Sequence, residues 1–182
     1  MRISKRGVSL TARNQPMRKH IAQSLIRLME TKALDHITIL EIVKKANISR
    51  MTFYKYYGNK TEVLDDYMYE IVSDYVEDAH KETHAESFSD PDRICHCFQF
   101  FKQYSGFVLT LIKANMHSVV LNALNKYMDD YARLTSGKSR YDLYYYAGAL
   151  CNTYFKWIEG GMKETADEIA RTVSKRLSHA LT

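Results

Sequence analysis

The sequence predicts an all-α protein with a small N-terminal helix-turn-helix domain and a larger C-terminal helical domain. Three observations carry that expectation. Its 182 residues hold two prolines and seven glycines, with long stretches free of both. Apolar residues recur at helical spacing through most of the chain. Residues 1–60 carry thirteen Lys/Arg against Glu30, Asp35 and Glu41, a balance of +10, whereas residues 61–182 carry thirteen against eighteen, a balance of −5. The expected boundary therefore divides 1–60 from 61–182, a basic module from an acidic body. That asymmetry suits a chain that lays one surface on a polyanion.

The elements follow in order. Met1 to Arg13 is a polar, basic arm in which Arg2, Lys5, Arg6 and Arg13 suit DNA phosphates or a minor groove as well as they suit a loose end. Pro16 fits the first turn of a helix whose buried stripe is Ile21, Leu25, Leu28 and Met29. Thr38 and Glu41 stand in capping-box spacing, flanked by Ile37 and Ile42 as a hydrophobic staple. Ile39, Ile42, Val43 and Ala46 form the apolar face of the short helix that follows. Asn47 suits a left-handed turn residue, Ile48 plugs the turn, and Ser49 caps a second short helix from Arg50 to Tyr57. Gly58 is expected to end it, and Asn59 with Glu62 forms another cap.

Beyond this point Lys60 to about Thr83 reads as one long helix, with Val63, Leu64, Tyr67, Met68, Ile71, Val72 and Tyr75 on its apolar face. Asp90-Pro91 opens a helix containing Ile94, Cys97, Phe98, Phe101 and Tyr104, and Gly106 is expected to break the chain. Helical stretches are expected from Val108 to about Ala114 and from Met116 towards Leu134, closed by Ser136-Gly137. The last pair runs from a Ser139 cap to Gly160-Gly161, then from a Thr165–Glu168 capping box through Ile169, Val173, Leu177 and Leu181.

Ile39, Ile42, Ala46, Ile48, Ser49, Thr52, Phe53, Tyr54, Tyr57, Lys60 and Leu64 resemble the DNA-binding signature of the tetracycline-repressor family of bacterial regulators. The resemblance covers roughly residues 16–64 and departs at Asn47, usually glycine, and at Tyr57, often phenylalanine. Tyr57 is expected to keep its ring packed while its hydroxyl reaches water or phosphate. What the resemblance implies is a DNA-binding transcriptional regulator, a ligand-responsive repressor on a palindromic operator, acting as a homodimer. An activator of the same fold and a DNA-independent interaction adaptor are the alternatives.

On such a recognition helix the first turn meets base edges. Arg50 suits a guanine, and Met51 or Thr52 a thymine methyl, while Tyr54 and Lys55 reach groove edge or phosphate. The resemblance implies that Thr38, Tyr54, Tyr56 and Lys60 hold the DNA backbone, with Thr38 and Lys60 at helix starts that favour phosphate, and Ser49 is counted among the DNA-binding residues. It also implies an effector cavity in the body, for which Tyr67, Ile71, Phe98, Phe101, Tyr104, Phe107, Met116, Tyr146 and Phe155 are candidate lining residues; the same aromatics at helical spacing equally suit plain core. In the family the final helix pair packs against its two-fold mate. Tyr144 to Gly148 and Lys156-Trp157 to Gly161 look like a subgroup related to dihydroxyacetone-kinase activation, which fixes no ligand.

Other classes find less support. No phosphate-cradling glycine loop, nucleophile elbow or metal-binding helix pair is present, so no enzyme, cofactor or metal is expected. Cys95 and Cys97 point to nearly opposite sides of a helix, and His80 with His84 has no third ligand in register. Three cysteines in a chain with its own core suggest reduced thiols. No apolar run is long enough to span a bilayer and no signal peptide is recognisable, so a cytoplasmic location is expected.

Overall fold

The computed structural model describes residues 14–82, 87–132 and 137–180, with the side chains of 80–82, 131–132 and 179–180 left aside. All regular structure among the described residues is helical. The basic arm, including Arg2, Lys5, Arg6 and Arg13, lies outside them, as do the His80 side chain and His84.

The chain forms two compact units, Met1–Met68 and Tyr69–Thr182. In the first, α1 (Gln15–Met29) starts with Pro16 in its first turn and buries Arg18, Ile21, Ala22, Ser24 and Leu25. A 3₁₀ turn, Leu34–His36, leads into α2 (Ile39–Lys45). The Thr38–Glu41 capping box is complete: the Thr38 hydroxyl accepts from the Glu41 amide at 3.2 Å, and the Thr38 amide donates to the Glu41 carboxylate at 2.8 Å. The Lys32 ammonium at 2.6 Å, then the Thr38 amide and hydroxyl that donate to the same carboxylate, hold the Glu41 carboxyl down at about 2.

The turn after α2 has the geometry a Schellman motif needs. Asn47 adopts φ 49°, its amide donates to Lys44 O, and the Ile48 amide reaches back to Val43 O. Helix α3 (Arg50–Tyr56) follows, capped by Ser49, whose hydroxyl accepts from the Thr52 amide at 3.0 Å. Its end differs from expectation. Tyr57 turns extended, with φ −134° and ψ 141°, and Gly58 needs no left-handed conformation. The Gly58 amide instead donates to the Glu62 carboxylate, which belongs to the cap of the next helix.

That helix, α4 (Lys60–Glu82), is continuous through the division between the units, which falls at Met68–Tyr69 rather than at its start. The reason is packing: Val63, Leu64 and Met68 are fully buried, and Asp66 bonds to α1, so the first turns of α4 complete the N-terminal core.

The second unit continues with α5 (Pro91–Lys102), α6 (Ser105–Lys113), α7 (His117–Tyr127), α8 (Arg140–Glu159) and α9 (Ala166–Ala180). Helix α9 lies against α5 and α8, while α6 and α7 pack on α8. Gly106 does not break the chain: it sits in the first turn of α6, and the reversal falls one step earlier, at Gln103–Tyr104. The stretch from Met116 is α-helical only to Tyr127 and then widens to a π turn, Met128–Ala132; Ser136 lies outside the described residues. Two more Schellman caps close α6 at Asn115 (φ 59°) and α8 at Gly161 (φ 81°). The expected caps at Ser139 and Thr165–Glu168 are present.

Candidate nucleic-acid interface

Seven residues are too few to hold a helix in water alone, so α3 depends on what anchors it. Phe53 is fully buried, with its ring 5.6 Å from Tyr54 and 6.0 Å from Tyr57. Tyr57, at the end of α3, donates its hydroxyl to Asp66 at 2.7 Å. The same carboxylate oxygen takes two bonds from the buried Arg18 guanidinium, at 2.8 and 2.5 Å. Burial and the adjacent carboxylate push the Tyr57 phenol well above its ordinary range, so it stays a donor. The expected reach of this hydroxyl to water or phosphate is therefore corrected: it fastens α3 to α4 and α1. His20 on α1 adds a second tie, donating from Nε2 to the carbonyl of Ala46 at 2.9 Å.

With that side fastened, the opposite side of α3 is bare. Arg50, Met51, Tyr54 and Lys55 are exposed, Met51 by 80%, while Thr52 and Tyr56 are half-buried. An aliphatic thioether and a phenol left in water on one short helix are poor surface choices unless something covers them. Met51, Thr52, Tyr54 and Lys55 line one open depression. Within the first unit Lys19, Arg27, Lys44, Lys45, Arg50 and Lys55 are exposed and form no ion pair among the described residues. Their positive field is left for an external anion.

The remaining predicted contacts divide. Ser49 and Thr38 are exposed but spend their hydroxyls on helix caps, and Ser49 also meets the Thr52 hydroxyl at 2.9 Å. The Tyr56 hydroxyl faces Asn14 at 3.4 Å, and the Lys55 ammonium lies 5.6 Å above its ring. Lys60 departs most from expectation. Its ammonium donates to the carbonyls of Leu34, Asp35 (3.2 Å) and Ile37 (2.7 Å). An ammonium has three protons, and all three close the end of the 3₁₀ turn, so this geometry leaves none for a phosphate. Sequence reading missed Arg18, His20, Asp66 and the exposed Leu40 on α2. Only Arg18 offered a cue, a charge inside the apolar stripe of α1.

The C-terminal unit encloses a cavity of about 50 Å³. Of the nine expected lining residues, Phe98, Phe101 and Tyr146 reach it. Tyr67, Ile71, Tyr104, Phe107, Met116 and Phe155 do not. Tyr67 belongs to the first unit; the cavity meets α4 at Val72, about 100° around the helix from Ile71, and at Tyr75, and Phe155 turns to His117 (ring centroids 5.4 Å). Tyr104, Phe107 and Met116 lie at the ends of α6, while the wall is built by α7 through Val120, Leu124 and Tyr127. Cys97 and Cys151 line the cavity, and burial pushes both thiols up to about 12. Cys95 is half-buried, its thiol raised in the same direction. Among the described residues no helix is long and apolar enough to cross a membrane.

A short helix fastened on one side and exposed on the other, in a unit rich in exposed cations, has the form of a DNA-reading helix-turn-helix. The comparisons give the particular family. Residues 21–67 match the model described as bacterial regulatory proteins, tetR family, and residues 91–179 match that of a transcriptional regulator C-terminal region. The chain belongs to the TetR family of bacterial transcriptional regulators. Among solved structures, Lin0861 from Listeria innocua superposes with TM-score 0.79 at 11% identity, over 96% of either chain. A TetR transcriptional regulator from Streptococcus agalactiae gives 0.62 at 18% identity, over 91% of this chain and 95% of that one. The dihydroxyacetone kinase operon activator DhaS gives 0.57 at 19% identity, over 90% and 95%. No curated protein matches significantly. At these identities the structural likenesses speak for the fold.

Proposed function

We propose that this regulator is a ligand-responsive repressor that binds an inverted-repeat operator as a homodimer. The observation that carries the DNA reading is the bare face of α3, with Arg50 and Met51 on its first turn and Tyr54 with Lys55 one turn on. One recognition helix per chain reads one half-site, so a palindrome needs two chains related by a two-fold axis.

The dimer reading rests on α8. Tyr141 and Tyr145 are 75% and 55% exposed and stand one turn apart. Gly148 and Asn152 continue the same line, and a side chain built at Gly148 would meet nothing within 4 Å. An aromatic stripe with a flat continuation suits a second copy of the helix. Ligand response rests on α4, which contributes Val72 and Tyr75 to the cavity wall and begins at Lys60, beside α3. A ligand changes DNA affinity only if it prefers the non-binding arrangement; a hundredfold preference corresponds to about 2.7 kcal/mol.

The test is selection of bound fragments from the host's own DNA, with footprinting and a mass measurement of the complex. Paired protected half-sites overlapping a promoter, with two chains bound, are expected. A single asymmetric half-site bound by a monomer would overturn the dimer, and sites placed only upstream of promoters that the protein stimulates would overturn repression.

A further inference from the structure

The cavity wall is apolar or aromatic with one charged member, Arg93. Its guanidinium lies 4.4 Å above the centroid of the Phe88 ring. Phe88 in turn meets the Tyr146 ring edge-on at 5.0 Å, so the cation, Phe88 and Tyr146 form one stack along the cavity. Among the described residues Arg93 has no carboxylate partner and no hydrogen bond. Tyr146 is 4% exposed, yet its hydroxyl too has no hydrogen-bond partner among them. The guanidinium of the half-buried Arg93 and the phenolic O–H of Tyr146 thus both lie at the cavity without an acceptor among the described residues.

Unmatched donors at the side of a partly open, apolar cavity suit an acceptor with negative charge and a small apolar body. A carboxylate fits the planar fork of a guanidinium. A phosphate dianion fits worse, because a single cation leaves its second charge uncompensated in apolar surroundings. Size narrows the guest further. With about 10–15 Å³ of free space per water, a cavity of about 50 Å³ has room for roughly four waters, whose share of liquid volume, about 120 Å³, is that of a small organic acid.

We propose that this cavity binds a short-chain monocarboxylic acid, its carboxylate held by Arg93 and the Tyr146 hydroxyl and its alkyl body against Phe98, Phe101 and Leu150. The inference rests on the reading that the C-terminal unit houses the effector site, and it names the chemistry of that effector. Tyr146 is kept protonated by burial, which pushes its phenol well above the ordinary range, so it acts as donor to the anion.

Butyrate and butyramide differ in charge and hardly in shape, and they separate the proposal from simple apolar filling. Binding to the full chain is read from ¹³C-labelled butyrate line widths and from Trp157, the single tryptophan, whose ring lies 5.5 Å from Phe98. Butyrate is expected to bind at least about tenfold tighter than butyramide. Arg93→Gln should remove that preference, Arg93→Lys should restore part of it, and Tyr146→Phe should weaken butyrate several-fold. Thermal unfolding reports whether each variant is folded. Equal affinity for acid and amide, undiminished butyrate binding by a folded Arg93→Gln, or no butyrate binding at millimolar concentration would overturn the proposal. Operator affinity measured in the same samples keeps the two readings apart. Charge-selective butyrate binding that leaves operator affinity unchanged upholds the carboxylate site and removes its regulatory role. Operator release by a neutral compound bound equally well to Arg93→Gln overturns the carboxylate site and leaves ligand response standing.

Discussion

Asp66→Asn removes the charge on which the N-terminal unit converges. Its carboxylate takes both Arg18 bonds and the Tyr57 hydroxyl bond, and the two ion-pair side chains are 4% and 18% exposed. Breaking a buried pair from one side leaves an uncompensated cation and costs about 3–5 kcal/mol; the partial exposure of Asp66 places this case near about 3 kcal/mol. Tyr57→Phe, which removes one bond to a charged acceptor and leaves the ion pair, should cost about 1–2 kcal/mol. Replacing both charges together, Arg18→Met with Asp66→Leu, should recover most of the Asp66→Asn loss, because no buried charge is left. Trp157 lies in the other unit, so the assay is hydrogen exchange of α2 and α3 amides, with Trp157 fluorescence as the control. Protection of α2 and α3 should fall by about a hundredfold for Asp66→Asn while the Trp157 transition stays in place. Unchanged protection in α3, or a double replacement as damaging as the single one, would refute the anchoring role.

Lys60→Met should destabilise the Leu34–His36 turn and weaken DNA binding without altering its salt slope; a slope reduced by about one unit would restore Lys60 as a phosphate contact. Cys97 and Cys151, held at about 12, should alkylate far more slowly at pH 8 than in the unfolded chain, with Cys95 reacting first; fast, equal labelling of all three would contradict their burial. Tyr145→Arg should shift the protein to monomer and weaken operator binding, whereas an unchanged sedimentation profile would remove α8 from the interface.

What could be read in advance was what local chemistry decides. The Thr38–Glu41 and Thr165–Glu168 boxes, the Asn47 turn and the α4 stripe need only neighbours within a turn or two, and they stand where the spacing places them. The anchors of α3 were hidden because Arg18 and Asp66 lie 48 positions apart and Lys60 meets a carbonyl 26 positions away. The cavity was legible only in part for the same reason. Aromatic spacing on α5 and α8 pointed to Phe98, Phe101 and Tyr146, but which face of α7 closes the wall depends on how helices cross, and Arg93 sits among exposed cap residues of α5.

The central claim is that the bare face of α3 reads base edges. It is tested most directly by the affinity of Arg50→Ala for the selected operator and for random duplex, measured at one salt concentration. The account predicts a loss of about 1–3 kcal/mol on the operator, relaxed preference at one base pair of each half-site, and a much smaller loss on random DNA. Equal losses on both would contradict it, leaving Arg50 a phosphate contact and α3 without a reading role.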